Sequence, residues 1–566
     1  MAIIPKIVNP EDRFYIRDFF WNYPQKVLKV YKTNRILTVL FLVFFTSLIA
    51  WIILKTDSFV KSFAPQNDNT LVEATVGRLG TLNPLFASQN NIDRDIDELI
   101  YQRLIYIDQS GSPLPGIAES WETITPGKHY IFHINQQLRW SDGEELTADD
   151  VIFTFDEAAS LDGSGLGDSI GSNLKGIKVE KVDDYSVDIA LSEVNSSIFE
   201  TLSIFIVPEH VLNDIKDEDY LKYGVILTPI GSGPYRVRAI TDSYILLEAN
   251  PQSLETPKIK KIKYMTFPSI QALEIDFRNN LIDSVTGIPL SQIDFIDEYP
   301  DYDKYSILIY PRKKVLFLNL RDKLIEKKDL RIAIAKAINK DNLVSADGKL
   351  GKKAFSPIPS NSWAFNKSSD LQKYSPKEAK SKVSGLGYKL NKDGFFEDEK
   401  GNALELRLTY LDTEQNRQVV DQVQKDLKNI GVKVLLDPQS YDSILNETVA
   451  TRNYQMLLFE VETTIDPDQY SLWHSSKIKY PDLNLSGYNF GTVDLLLERS
   501  RITLNKNNRR SDYQLVQRYL SLDVPAVFLY EPYYNYIVRS SLKVVGLDKI
   551  NLPSDRFRYI SEWEFR

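Results

Sequence analysis

The sequence predicts a mixed α/β external region carried behind one membrane-spanning helix. Three observations predict it. Residues Ile36–Leu54 run for 19 positions without a charge. Ala403–Leu408 and Val432–Leu436 read as strands on either side of a helix over Val419–Ile430, the order of a crossover unit. The chain is 566 residues long with 43% hydrophobic and 26% charged residues, ordinary globular usage with room for several domains.

The apolar run is long enough to cross a hydrocarbon core at about 1.5 Å per residue. Seven Lys/Arg precede it and only Lys55 and Lys61 follow closely, so the positive-inside rule puts the N-terminus in the cytoplasm and the main domain outside the cell membrane. No small-x-small cleavage site follows the run, which favours an uncleaved, single-pass anchor. A mean hydropathy of -0.27 excludes many spans. Residues 1–61 carry nine Lys/Arg and four Asp/Glu, so the rest of this chain of net charge -9 stands at -14. An acidic external region is a poor match for nucleic acid. The absence of cysteine removes thiolate catalysis, Cys-bound zinc, iron–sulfur clusters and disulfides.

Along the external region, Ser58–Asn69 reads as a tether and Val72–Val76 as a strand. Ile96, Leu99, Ile100, Leu104 and Ile105 recur at helical spacing within Asp93–Ile105. His129–Ile134 alternates as a half-buried strand. Thr147 caps a helix whose first turn holds Asp149 and Asp150. Lys314–Leu320 is a strand, Leu330–Ile338 a helix, and Met456–Val461 an apolar strand leading into a polar turn.

Catalytic signatures fail on context. Gly167-Asp168-Ser169-Ile170-Gly171 has the letters of a nucleophile elbow, but a Gly-rich loop precedes it where a strand is required. His129 and His133 have metal-binding spacing for a helix but lie in an alternating strand, with no Glu after His129. Gly127-Lys128 lacks the rest of a phosphate loop. No catalytic residue, cofactor or metal is therefore assigned.

One ordered string of motifs carries more. Thr81-Leu82-Asn83-Pro84 is followed by Tyr101–Leu104, Asp108–Gly111, Pro115–Trp121 and Tyr130–Ile134, then by Trp140-Ser141-Asp142-Gly143 and Thr147–Val151. Gly231–Tyr235, Leu330–Ile338, Asp466-Pro467 and Pro525–Tyr530 continue it. In order and spacing the string resembles the family 5 extracellular solute-binding proteins, the peptide, dipeptide and nickel receptors of ABC importers, over roughly residues 70–566. The residues themselves are mostly scaffold: Asp142-Gly143 is a turn pair, and Ala118, Trp121 and Phe132 are core candidates.

The resemblance implies an α/β, two-lobed, periplasmic-binding-protein-like fold of type II with an extra N-terminal domain, preceded by the transmembrane helix. Ahead of it, the apolar run and its flanks predict a cytoplasmic tail over 1–35, the span over 36–54 and a tether over 55–69. Lobe I would take 70–115, 225–314 and 525–566, the extra domain 116–224, and lobe II 315–524. The ligand, a peptide or other small polar solute, would sit between the lobes and drive hinge closure without catalysis, and ABC permease subunits would be the partners of a monomeric receptor. By the same resemblance the site is built from the loop Thr81, Leu82 and Asn83 and from the turn Glu462, Thr463, Thr464 and Asp466. Peptide receptors of the family carry there an Asp for the ligand's α-ammonium, and the matching position here is Thr463. Glu462 stands next to it, but adjacent strand residues face opposite sides. Tyr470, Trp473, Asn484 and Tyr488 follow in a loop whose aromatics and amides suit stacking on and hydrogen bonding to a polar ligand. Competing classes are a membrane-tethered sensor or chaperone and a carboxylate hydrolase. A DNA-binding regulator does not fit, because 35 residues before the span are too few for a helix-turn-helix domain.

Overall fold

The computed structural model describes residues 69–86, 90–160, 174–213, 229–289, 292–345 and 350–566. The expected tail, span and most of the tether, and Ser169, lie outside them. Among the described residues no helix is long and apolar enough to cross a membrane.

Twelve of the described strands hydrogen-bond into one continuous sheet. One end contains Tyr235–Ile240, Tyr244–Ala249, Lys261–Phe267, Thr70–Val76 and Ser284–Thr286 in that spatial order. The other contains Arg312–Leu318, Met456–Glu462, Glu405–Leu411 and Lys433–Gln439. The long strand Ala526–Arg539 joins them. Its first part pairs with Arg312–Leu318, Phe317 opposite Ala526, and its last part pairs with Tyr302–Leu308, Tyr302 opposite Arg539. The two ends pack separate apolar cores and make the protein two-lobed.

Burial explains most of the elements. Glu405–Leu411 and Lys433–Gln439 are parallel, linked by the helix Glu414–Asn429, so the predicted crossover unit is present. Val419, Val420, Val423 and Leu427 face the core at the helical period. The helix starts earlier than its apolar stripe because Thr413 caps it, accepting the Asn416 N–H. His129–Ile134 buries Tyr130, Phe132 and Ile134 on one face. His129 and His133 lie on the other, against Asp188 at 2.7 Å and Ser186 at 3.2 Å. That strand belongs to a separate four-stranded sheet with Ala118–Thr125, Ser186–Leu191 and Ile177–Asp183. Trp140 and Val151 are fully buried, and Gly143 takes φ +104° at the turn. The helix that follows is Ala148–Ser160, and the Thr147 N–H donates to Asp150 Oδ2 at 2.9 Å.

The helix expected over Asp93–Ile105 is shorter, Asn91–Ile100. Its last carbonyl, that of Ile100, accepts the Gly233 N–H at 2.7 Å, and the chain then turns into the strand Ile105–Ile107. Gly231 and Gly233 are required there, because a Cβ on either would come within 2.6 Å of the Ile100 carbonyl oxygen.

Candidate interlobe site

The helix Asn91–Ile100 faces the end of Met456–Glu462 across the interlobe cleft. Its N-terminus is fixed from both sides. Asn90 accepts the Ile92 N–H at 3.0 Å, and Asp93 accepts the N–H groups of Gly80 and Thr81 at 2.7 and 2.9 Å. That carboxylate holds the Thr81–Asn83 loop in place. Leu82 is buried with φ +54°, and Asn83 is fully buried, its Oδ1 accepting the Leu85 N–H at 3.1 Å.

On the facing lobe, cross-strand register sets charge against charge. Arg312 lies opposite Glu462 and Lys314 opposite Glu460. Arg312 Nε donates to Glu462 Oε2 at 2.7 Å, and Lys314 Nζ meets Glu460 Oε2 at 2.9 Å. The first helix completes the cluster: Arg94 Nη1 donates to Glu462 Oε1 at 2.8 Å, and Arg312 Nη2 donates to Asn91 Oδ1 at 2.7 Å. Burial opposes ionisation of Glu462, but Arg94 and Arg312 outweigh it and hold its carboxyl below the usual range. Lys314 and Arg312 do the same for Glu460.

Two cavities flank this cluster. One, of about 430 Å³, is lined by Asn91, Asp95, Thr286, Arg312, Glu460 and Tyr534 among others. The second, of about 670 Å³, is lined by Glu200, Glu462, Thr463, Thr464, Asp468 and Tyr470 among others. Both are in the size range of small-ligand sites.

Glu462 and Thr463 therefore reach the same cavity. The alternation argument against it does not apply, because the strand ends at Glu462. The Thr463 N–H and hydroxyl both donate to the Pro311 carbonyl, at 2.9 and 3.1 Å, which leaves the hydroxyl oxygen as an acceptor. Thr464 donates to the Asp466 carbonyl at 2.9 Å. Asp466 turns away into an ion pair with the buried Arg509 at 2.6 Å. Tyr470 stacks on His474 at 4.1 Å and lies beneath Arg501, which pairs with Asp468 at 3.0 Å.

The other sequence-derived candidates do not line these cavities. Trp473 is a core residue, packed between Phe317 and Phe528. Asn484 is fully buried and ties its own loop, donating to the His474 and Tyr488 carbonyls and accepting the Tyr488 N–H. The Tyr488 hydroxyl donates to Asp523 at 2.8 Å. Thr81, Leu82 and Asn83 pack behind the first helix.

Sequence reasoning missed Arg94, Arg312, Glu460 and Glu200. A signal existed for two of them: Arg312 and Lys314 alternate at the start of an apolar strand, as Glu460 and Glu462 do at the end of another. Glu200, on the short helix Ile198–Leu202, accepts the N–H groups of Ile465 and Asp466 at 2.5 and 2.7 Å. Burial and the nearby Asp466 push its carboxyl up to about 8. The same segment is held by Ser196, whose N–H and hydroxyl donate to the Arg501 and Ser500 carbonyls at 2.8 and 3.0 Å.

Comparison with known proteins gives this geometry its context. Residues 112–480 match the family described as bacterial extracellular solute-binding proteins, family 5 Middle. The oligopeptide-binding protein AppA of Bacillus subtilis is 27% identical over 493 residues, spanning 83% of this chain and 87% of that protein. The dipeptide-binding protein of Escherichia coli is 23% identical over 517 residues, spanning 85% and 92%. The structure of AppA from Bacillus subtilis in complex with a nonapeptide superposes with a TM-score of 0.73 at 25% identity, covering 88% of this chain and 99% of that one. NikA from Brucella suis in complex with Fe(III)-EDTA shares the fold, with a TM-score of 0.77 at 19% identity over 88% and 100%. The chain belongs to family 5 of the bacterial extracellular solute-binding proteins.

Proposed function

We propose that this chain is the membrane-anchored, extracytoplasmic receptor of an ABC importer. It takes a peptide or similar small polar solute between its lobes and releases it unchanged to permease subunits. Ile36–Leu54 is the anchor, the N-terminus is cytoplasmic, and the receptor acts as a monomer. The division into lobe I, the extra domain at 116–224 and lobe II at 315–524 goes with this reading, the strand Ala526–Arg539 being common to both lobes.

The observation that carries the reading is the cleft itself. The first cavity is lined from both lobes and the second by the extra domain and lobe II, and ionic contacts between the lobes, Arg94 to Glu462 above all, form only when the lobes meet. A ligand that touches both sides favours the closed state by its differential affinity for it. Family relatives that bind oligopeptides and dipeptides support a peptide as the solute. The Thr463 oxygen and the acids around the second cavity offer acceptors to an ammonium group.

The test uses the full-length chain in lipid nanodiscs, titrated with a defined tryptic peptide mixture and followed by native mass spectrometry and tryptophan fluorescence. Saturable binding of intact peptides, recovered without cleavage, is expected. Absence of any peptide adduct together with an unchanged fluorescence signal would refute the reading.

A further inference from the structure

The helix Ile198–Leu202 is anchored at both ends. Ile198 and Leu202 are buried in one apolar core that takes in Leu71, Ile96 and Tyr264 of lobe I together with Phe132, Val187 and Ile189 of the extra domain. Lobe II packs cores of its own. Glu200, between the anchors, crosses to lobe II: its two carboxyl oxygens accept the N–H groups of Ile465 and Asp466, consecutive donors in the turn that carries Thr463 and Thr464. Behind it the turn is held at Thr463 by the Pro311 carbonyl and at Asp466 by Arg509. The second cavity, of about 670 Å³, is lined by residues 175–201 of the extra domain and 462–502 of lobe II, and Glu200, Thr463 and Thr464 are among them.

We propose that Glu200 is a positioning residue: from the extra domain it fixes the lobe II turn that presents Thr463 and Thr464 to the second cavity, and so ties ligand capture to the meeting of those two domains. This rests on the peptide reading above. The shared core makes the extra domain travel with lobe I, so its contact with the turn forms as the lobes close. The turn is then held from both sides, and a ligand in the cavity meets a surface already ordered. Because the contact belongs to the closed state, it slows escape of a bound ligand more than it speeds entry. Closure also takes Glu200 out of water. Enclosed, its carboxyl stands at about 8, and with water at its oxygens it returns towards its ordinary 4.5. Closing therefore takes up a proton: the contribution is fully present below pH 4.5, and affinity falls as pH rises towards 8, by at most about tenfold per pH unit. Asp466 and Asp468 face Glu200 from the turn, paired with Arg509 at 2.6 Å and Arg501 at 3.0 Å. Glu462 and Glu498 line the same cavity from lobe II, and Lys175 and Glu193 line it from the extra domain.

The experiment is stopped-flow and equilibrium tryptophan fluorescence on the full-length chain in nanodiscs, with alanine peptides of two, three and five residues, each ending in lysine. The variants are Glu200→Ala, Glu200→Gln and Ser196→Ala. Glu200→Ala, which leaves the turn without its outer acceptor, raises the dissociation rate about tenfold and leaves association within about twofold. Wild-type affinity falls about tenfold from pH 6 to pH 8. Glu200→Gln keeps one carbonyl acceptor, still binds, and loses that slope, because an amide takes up no proton. Groups other than Glu200 titrate alike in the two proteins, so the difference between their profiles belongs to Glu200. Ser196→Ala breaks the bond to the Ser500 carbonyl across the same boundary, but not to the turn, and keeps the wild-type slope. Parallel slopes in wild type and Glu200→Gln, or equal dissociation rates in wild type and Glu200→Ala, would overturn the role while peptide binding stands. Failure of the wild type to bind any of these peptides would remove the peptide reading and the role with it.

Discussion

Neighbouring residues of one helix enter two ion clusters with opposite fates. Asp95 points into lobe I, where Arg556 donates to both its oxygens at 2.6 Å and to Glu73 at 2.9 Å. Arg556 and Glu73 are wholly shut off from solvent, and the guanidinium lies 4.0 Å from the Phe557 ring centroid. Arg94, one position earlier, points into the cleft and keeps about a quarter of its side chain in solvent. Bond lengths hardly differ between the two clusters. What differs is the cost of separation: water can replace Arg94 at Glu462, whereas nothing can replace Arg556 at Asp95 and Glu73. A buried pair is hard to break because breaking it strands a charge, and a pair still open to solvent is cheaper to break. Placing one of each on a single helix gives lobe I a rigid edge with a releasable contact.

The sharpest way to break this comparison is Arg556→Ala. It leaves two carboxylates buried without their cation and should cost about 3–5 kcal/mol of stability, read from urea unfolding. A loss below about 1 kcal/mol would show that the cluster is not sealed as described. Glu200 is the intermediate case, an acid enclosed at the cleft with backbone donors rather than a cation. Its folded pKa of about 8 stands above its ordinary 4.5, so the native state holds a proton that the unfolded chain releases. The sign follows: this contribution is fully present below pH 4.5 and is lost as pH rises through 8, at no more than about 1.4 kcal/mol per pH unit. Glu200→Gln should flatten that part of the stability–pH curve, and an unchanged curve would remove Glu200 as its source. The smallest effect is expected from Arg94→Ala, within about 1 kcal/mol in the absence of ligand. A larger loss would make Arg94 part of the scaffold and erase the distinction.

The sequence was readable where an element's environment is local. Strand alternation at His129–Ile134 and the crossover unit around Glu414–Asn429 follow from side-chain period, and the turn at Asp142-Gly143 from residue chemistry. Of the site candidates, Glu462, Thr463, Thr464 and Tyr470 line one cavity, together with residues of 175–201. Trp473 and Tyr488 look like ligand platforms in a polar loop until Phe317, Phe528 and Asp523 arrive from distant parts of the chain to bury them. Arg94 was unreadable for the same reason. Its partner is 368 residues away, and nothing near Arg94 in the chain distinguishes it from a solvated cation on a helix.

The strand shared by the two lobes has a consequence for how the protein is made. Ala526–Arg539 is a middle strand at the junction, hydrogen-bonded to both halves, and its partner strands all precede it in the sequence. Neither half of the sheet can finish while these residues are still inside the ribosome or a translocation channel. The nascent polypeptide therefore stays incompletely folded until residue 539 has been delivered, the condition in which a chain can still be threaded through a narrow pore. A stop codon just before residue 526 would cost both halves their common partner at once.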